Sequence, residues 1–128
     1  HGWFSSLVPL YIKRVFKDNP LFSSSTVIYS LYDDFFEDML NHTLVKKLKF
    51  DKIKEVDLKN YRNPDYIKIS KAAIKYSDAL IFGSEKINPE LEELVRSTEK
   101  PLLEFLGDDN YITVYNDFYE KLLKHKRN

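Results

Sequence analysis

Cysteine is absent from this sequence, and its absence removes disulfides and thiolate metal sites together. Glycine is scarce at three in 128 residues, and neither a G-x-G-x-x-G fingerprint nor a Walker loop occurs. No apolar run approaches the roughly 18 residues that a membrane span needs. Net charge is lacking too: twenty basic residues balance twenty acidic ones, so no overall field steers nucleic acid or acidic lipid. Two basic clusters, Lys46-Lys47-Leu48-Lys49 and Lys124-His125-Lys126-Arg127, read as solvated faces or tails. No secretory signal is visible. The expectation is a soluble, cytoplasmic protein with neither a nucleic-acid nor a membrane partner.

What is present suffices for one folded domain: 43% of the residues are apolar and 15% aromatic. Phe4, Leu7, Val8, Tyr11 and Val15 recur at helical spacing, and Asp18-Asn19-Pro20 closes that helix. Thr26 to Tyr32 is β-branched and aromatic with almost no alternation, as in a strand covered on both faces, and Asp33-Asp34 ends it. A short helix is expected over 43–50, and the polar segment 51–62 reads as loop. Asn63-Pro64-Asp65 signals a helix start with Asn as cap and Pro in the first turn, followed by Tyr66, Ile69, Ala73 and Tyr76 on one face. Ala79 to Phe82 is a short apolar strand ended by Gly83-Ser84. Asn88-Pro89-Glu90 repeats the start signal for a helix that turns Leu91, Leu94 and Val95 inward. Residues 101–105 read either as a third strand or as an extended connection. The last helix sets Ile112, Tyr115, Phe118, Tyr119 and Leu122 on its apolar face.

This order gives an α/β fold with a parallel sheet of two or three strands flanked by helices. So thin a sheet leaves a strand edge and apolar surface uncovered, and each large apolar side chain left wet forfeits roughly 1.5–3 kcal/mol. Residues 1–128 are therefore expected to be one partial α/β domain, a fragment lacking upstream strands. A missing N-terminal half or a second chain would pack on the exposed sheet.

In open parallel sheets ligands sit beyond the carboxyl ends of the strands, in the turns into the following helices. Three turns qualify: residues 1–4, 32–34 and 83–86. His1 and Trp3 could supply a polar contact and a flat apolar face suited to a sugar ring; equally, Trp3 could anchor the helix start in the core. Asp33 and Asp34 could act as an acid, a base or a metal ligand, or could cap turns. No other His, Glu or Asp completes a metal set, so no metal is expected. Gly83-Ser84 could offer backbone N–H groups to an anion, or could be plain turn geometry.

Taken together these segments resemble a family. The run from His1 to Tyr11 is similar to the H-D-W-H-S/T-A/G-L-x-P-x-Y segment of bacterial glycogen and starch synthases. Tyr29 to Asp33 falls where that family has F-T-I/V-H-N. Ser70 to Asp78, continuing to Ser84, resembles its L-K-x-G-I/L-x-Y/F-A-D stretch and the serine that follows. Order and spacing agree over roughly the first ninety residues, and the C-terminal part, ending Tyr111 to Leu123, looks more like the close of a short single-domain bacterial version.

The resemblance implies the C-terminal portion of the Rossmann-like N-terminal domain of a GT-B glycosyltransferase. Such an enzyme is retaining, needs no metal or other cofactor, and moves glucose from ADP-glucose to an α-1,4-glucan. The implied partners are the nucleotide sugar and the glucan acceptor. His1 and Trp3 fall on the H-x-W of the first motif. Tyr32 stands in the place of the active-site histidine, Asp33 in that of its neighbouring asparagine, and Ser84 on the final serine, beside Gly83. Gly2 and Phe4 replace an Asp and a His, and Tyr32 changes both shape and capacity for charge. The K-x-G-G-L loop and the second domain of the family have no counterpart in this sequence. Two functions follow: part of a glycogen synthase-like enzyme, inactive as this fragment alone, or a non-catalytic relative that binds glucan or a protein.

Overall fold

The computed structural model describes residues 1–107 and 110–127, with side chains described up to 124 in the last helix. Most of the basic tail at 124–127 thus lies outside the described side chains. Three strands, β1 (Ile28–Leu31), β2 (Ala79–Phe82) and β3 (Leu102–Leu103), form one parallel sheet in the order β1-β2-β3. Tyr29 pairs with Leu80 and Leu31 with Phe82, so these four share one face of the sheet. Ser30, Ala79 and Ile81 alternate to the other face and are buried as well. The continuous apolar run of β2 is thus explained: both of its faces are covered.

The first helical segment departs from its expected form. It breaks into a 3-10 turn (Trp3–Ser5), one α-turn, α1 (Val8–Leu10), and a π-turn (Tyr11–Val15). Phe4 is 88% exposed and Val8 and Val15 also face water, while Leu10 is fully buried. Changing the residues per turn twice in one helix rotates the side chains off a 3.6-residue stripe, so of the expected face only Leu7 and Tyr11 pack against the core. At the foot of the sheet, Lys13 Nζ reaches Asp78 Oδ2 at 2.5 Å, and the same oxygen accepts from Val27 N–H at 2.7 Å.

Helix α2 (Leu44–Phe50) lies where it is expected. The segment 51–62 is not a loop: it holds α3 (Glu55–Leu58) and a 3-10 turn (Lys59–Tyr61), with Ile53, Asp57, Leu58 and Tyr61 buried. Helix α4 (Tyr66–Tyr76) is capped by Asp65, whose side chain accepts from Lys68 N–H at 2.7 Å; Asn63 is not the cap and turns the chain at φ 49°. α4 buries more than the single expected face because it lies between two clusters. Tyr66, Ala73 and Ile74 pack with Tyr29, Leu31, Leu80 and Phe82, and Ile69, Ala72 and Tyr76 pack with Leu10, Leu48 and Leu58.

Helix α5 (Pro89–Ser97) starts as its local signal predicts, with Asn88 Oδ1 accepting from Glu90 N–H at 3.0 Å and Pro in the first turn. Asn88→Ala is expected to cost about 1 kcal/mol in urea denaturation, because two first-turn N–H groups lose their acceptor. Helix α6 (Tyr111–Arg127) closes the described chain. Its expected inward face is only half covered: Tyr115, Phe118, Tyr119 and Leu122 are partly exposed, and Ile112 is 62% exposed. No helix among the described residues is long and apolar enough to cross a membrane.

Candidate functional site

The parallel strands carry the turns after β1 and β2 to one rim, and the first turn, which follows none of the three strands, is tied to the same rim by hydrogen bonds. Gly2 is buried and donates its N–H to Ser30 O of β1 at 2.9 Å. Trp3 N–H donates to Asp34 Oδ2 at 2.9 Å, joining the first turn to the second. Asp33 N–H donates to Ser84 Oγ at 3.0 Å, joining the second to the third. His1 Nδ1 lies 3.1 Å from Tyr32 Oη. All six expected residues, His1, Trp3, Tyr32, Asp33, Gly83 and Ser84, stand on this rim.

Their individual settings differ. Tyr32 lies flat on Gly83: a Cβ at position 83 would stand 2.4 Å from Tyr32 Cζ, so glycine alone admits the ring. The phenol is therefore sealed on one side and tied at its tip. Gly83 N–H donates to Leu31 O at 2.7 Å and Ser84 Oγ is taken by Asp33, so this turn holds the sheet together and offers no free anion nest from those groups. Asp33 is exposed, whereas Asp34 is partly buried and held from both sides. Its Oδ1 lies 3.2 Å from Tyr66 Oη, which also stands 3.2 Å from Tyr32 O. Burial and then the Asp34 carboxylate push the Tyr66 phenol well above its ordinary value, so it serves as a neutral donor. Asp34 thus fits a positioning role better than that of a mobile acid or base.

Trp3 is half-buried and touches both hydrophobic clusters, with Phe36 at 4.6 Å between ring centroids. Its indole anchors the first turn, and an apolar cleft of about 260 Å³ opens beside it between Leu7, Leu40 and Leu44. Gly2 adopts φ 66° and ψ 177°, a region essentially restricted to glycine. A Cβ there would stand 2.4 Å from Asp34 Oδ2. Where the resembled motif has an aspartate at position 2, a carboxylate still fills the neighbouring space, supplied by Asp34.

One wall of the rim was not foreseen as part of the site. Tyr111, Tyr115 and Tyr119 of α6 face His1 and Tyr32 across a cleft of about 400 Å³. Their spacing of four residues places them in a row along the helix, a signal present in the sequence. What the sequence withheld was the place of α6 against the rim. Among the described residues, no three His, Asp or Glu side chains gather as a metal site would need.

Residues 1–100 match the family described as the starch synthase catalytic domain. Over 91 residues the chain is 26% identical to a protein named glycogen synthase from Chlorobium phaeovibrioides, covering 71% of this chain and 18% of that protein. The chain thus spans less than a fifth of the length of that curated relative. No solved structure matches it.

Proposed function

The chain belongs to the starch synthase catalytic domain family, and from that premise we propose that it forms one rim of a glucan-synthesising glycosyltransferase cleft. The reaction is transfer of glucose from ADP-glucose to an α-1,4-glucan, in a GT-B arrangement without a metal, within the cytoplasm. The observation that supports this reading is the convergence of residues 1–4, 32–34 and 83–84 at the carboxyl ends of parallel strands.

The chemistry divides between two lobes. Glucosyl transfer builds positive charge on the sugar, and groups fixed before the reaction must stabilise it from several sides. This rim supplies pre-set hydrogen-bonding groups, with the Tyr32 backbone and ring held by Tyr66, His1 and Gly83. Cationic groups for a diphosphate and the rest of the charge-stabilising set come from elsewhere in the whole protein. The fragment by itself holds acceptor sugar and does not turn over.

A second reading is favoured by one observation: a phenol stands in the place of the resembled family's histidine and is sealed against Gly83. A non-catalytic relative would keep glucan binding and lose transfer. Isothermal titration of the 128-residue chain with maltoheptaose and with ADP-glucose, together with incorporation of labelled glucose by the full-length protein, separates the two. Incorporation supports the enzyme, and glucan binding without incorporation supports the binding module. Tyr32→Ala is expected to weaken maltoheptaose binding about tenfold, the equivalent of about 1.4 kcal/mol. Unchanged affinity in that variant, or no glucan binding by the wild type, would remove the rim from the site.

A further inference from the structure

Helix α6 lies beyond the matched residues 1–100, yet it builds half of a cleft whose other half is the rim. Tyr111, Tyr115 and Tyr119 stand with successive ring centroids 6.3 Å and 5.9 Å apart and with neighbouring planes nearly perpendicular. His1 and Tyr32 face them, and Asn116 and Ile112 complete the lining. Tyr111 remains 53% exposed, and Tyr115 and Tyr119 are half-buried.

The character of the lining selects the ligand. Charged residues make up 31% of the sequence, yet among the described residues no Asp, Glu, Lys or Arg lines this cleft. A nucleotide sugar or a nucleic acid brings phosphates, which call for cationic forks or free backbone N–H groups. A neutral sugar chain asks for the opposite: flat apolar faces for its C–H surfaces and uncharged hydrogen-bonding tips for its hydroxyls. Phenols, an amide and an imidazole provide that combination. Burial, followed by the neighbouring Tyr32 and Tyr115 respectively, pushes the Tyr115 and Tyr119 phenols up, so both remain neutral donors and acceptors. Tyr32 is already fixed by Gly83 and His1, so little ordering is left for binding to do on that wall.

We propose that this cleft is the seat of an α-1,4-glucan chain, gripped by Tyr111, Tyr115 and Tyr119 on one wall and by Tyr32 and His1 on the other. The proposal rests on the glucan reading above and says where the acceptor lies. It assigns to α6 a binding function that residues 1–100 do not carry.

The test is maltoheptaose titration of the 128-residue chain carrying Tyr115→Ala and Tyr119→Ala together, read by calorimetry and by shifts of the tyrosine ring protons. The double variant is expected to bind at least about 20-fold more weakly, with unchanged circular dichroism, because both side chains are half-exposed. Tyr111→Ala, at the most exposed of the three positions, is expected to lose several-fold and tests the wall even if the double variant unfolds. Wild-type affinity in these variants, with loss confined to Tyr32→Ala, overturns the α6 wall and leaves the glucan reading intact. Absence of maltoheptaose binding by the wild-type chain overturns both. A wild-type dimer that the α6 variants dissociate, with glucan affinity unchanged, overturns the wall by making it a self-interface.

Discussion

Gly2→Ala is expected to destabilise the fold by about 3 kcal/mol, combining strain at a glycine-only backbone conformation with displacement of a hydrogen-bonded carboxylate. Two separable effects contribute. The backbone at φ 66° and ψ 177° admits a side chain only under strain. Independently, the new Cβ would stand 2.4 Å from Asp34 Oδ2 and drive it off Trp3 N–H. In a thermal melt the variant should lose roughly 10 °C for a domain of this size. A double variant with Asp34→Ala isolates the two: the steric part vanishes, the backbone part persists, and the two losses combine non-additively. If Gly2→Ala melts with the wild type, the first turn does not require this geometry and the link between the turns at 2–3 and 34 is not a structural one. A side chain at position 2 would meet the Asp34 carboxylate where it now stands, so an aspartate there would have to displace it.

Much of this was legible before any coordinates, and the reason is locality. β2 could be read because four apolar residues lie between Asp78 and Gly83, and α5 because Asn88-Pro89 carries its cap and first turn side by side. The rim followed from those elements, since parallel strands joined through helices bring their βα turns to one end. Where reading failed, the cause was an interaction between distant segments or a change of helix geometry. The face of the first helix was misplaced because 3-10, α and π turns succeed one another and break the period that singles out Phe4 and Val8. The segment 51–62 reads as loop because Lys52, Lys54 and Lys59 surround its inward residues, and the cluster that buries Leu58 and Tyr61 draws on distant Leu10 and Tyr76 as well as on nearby Leu48 and Ile53. Asn63 has the chemistry of a cap, but Pro64 precedes the cap residue and the role passes to Asp65. The tyrosine row of α6 has a visible period, but that period says nothing about which surface it faces.

The buried carboxylate of Asp57 is the second place where one substitution should tell heavily, because its charge is held by few groups. It is 3% exposed, accepts from Tyr76 Oη at 2.5 Å and from Arg14 Nε at 3.0 Å, and the Arg14 guanidinium lies 5.1 Å from the centre of the Tyr76 ring. Burial alone would raise this carboxyl, yet the hydrogen bonds from Tyr76 and Arg14 and the Arg14 charge together hold it below the ordinary value of 3.8. Arg14→Met keeps the stem over the ring and removes the charge, leaving a buried anion with one side-chain donor. The cost at neutral pH is expected to be about 2–3 kcal/mol, below the full penalty for a stranded buried charge because the Arg14 side of the pair is half-exposed and water can enter. The pH dependence fixes the mechanism. A carboxyl whose folded value is depressed adds stability above its unfolded value and loses it as pH falls through the folded one. Wild type and Arg14→Met should therefore differ most above about pH 4 and converge below it in denaturant titrations across that range. A difference that stays constant from pH 7 to pH 3 would mean that Arg14 acts on Tyr76 by packing alone and that the charge of Asp57 is held by the phenol.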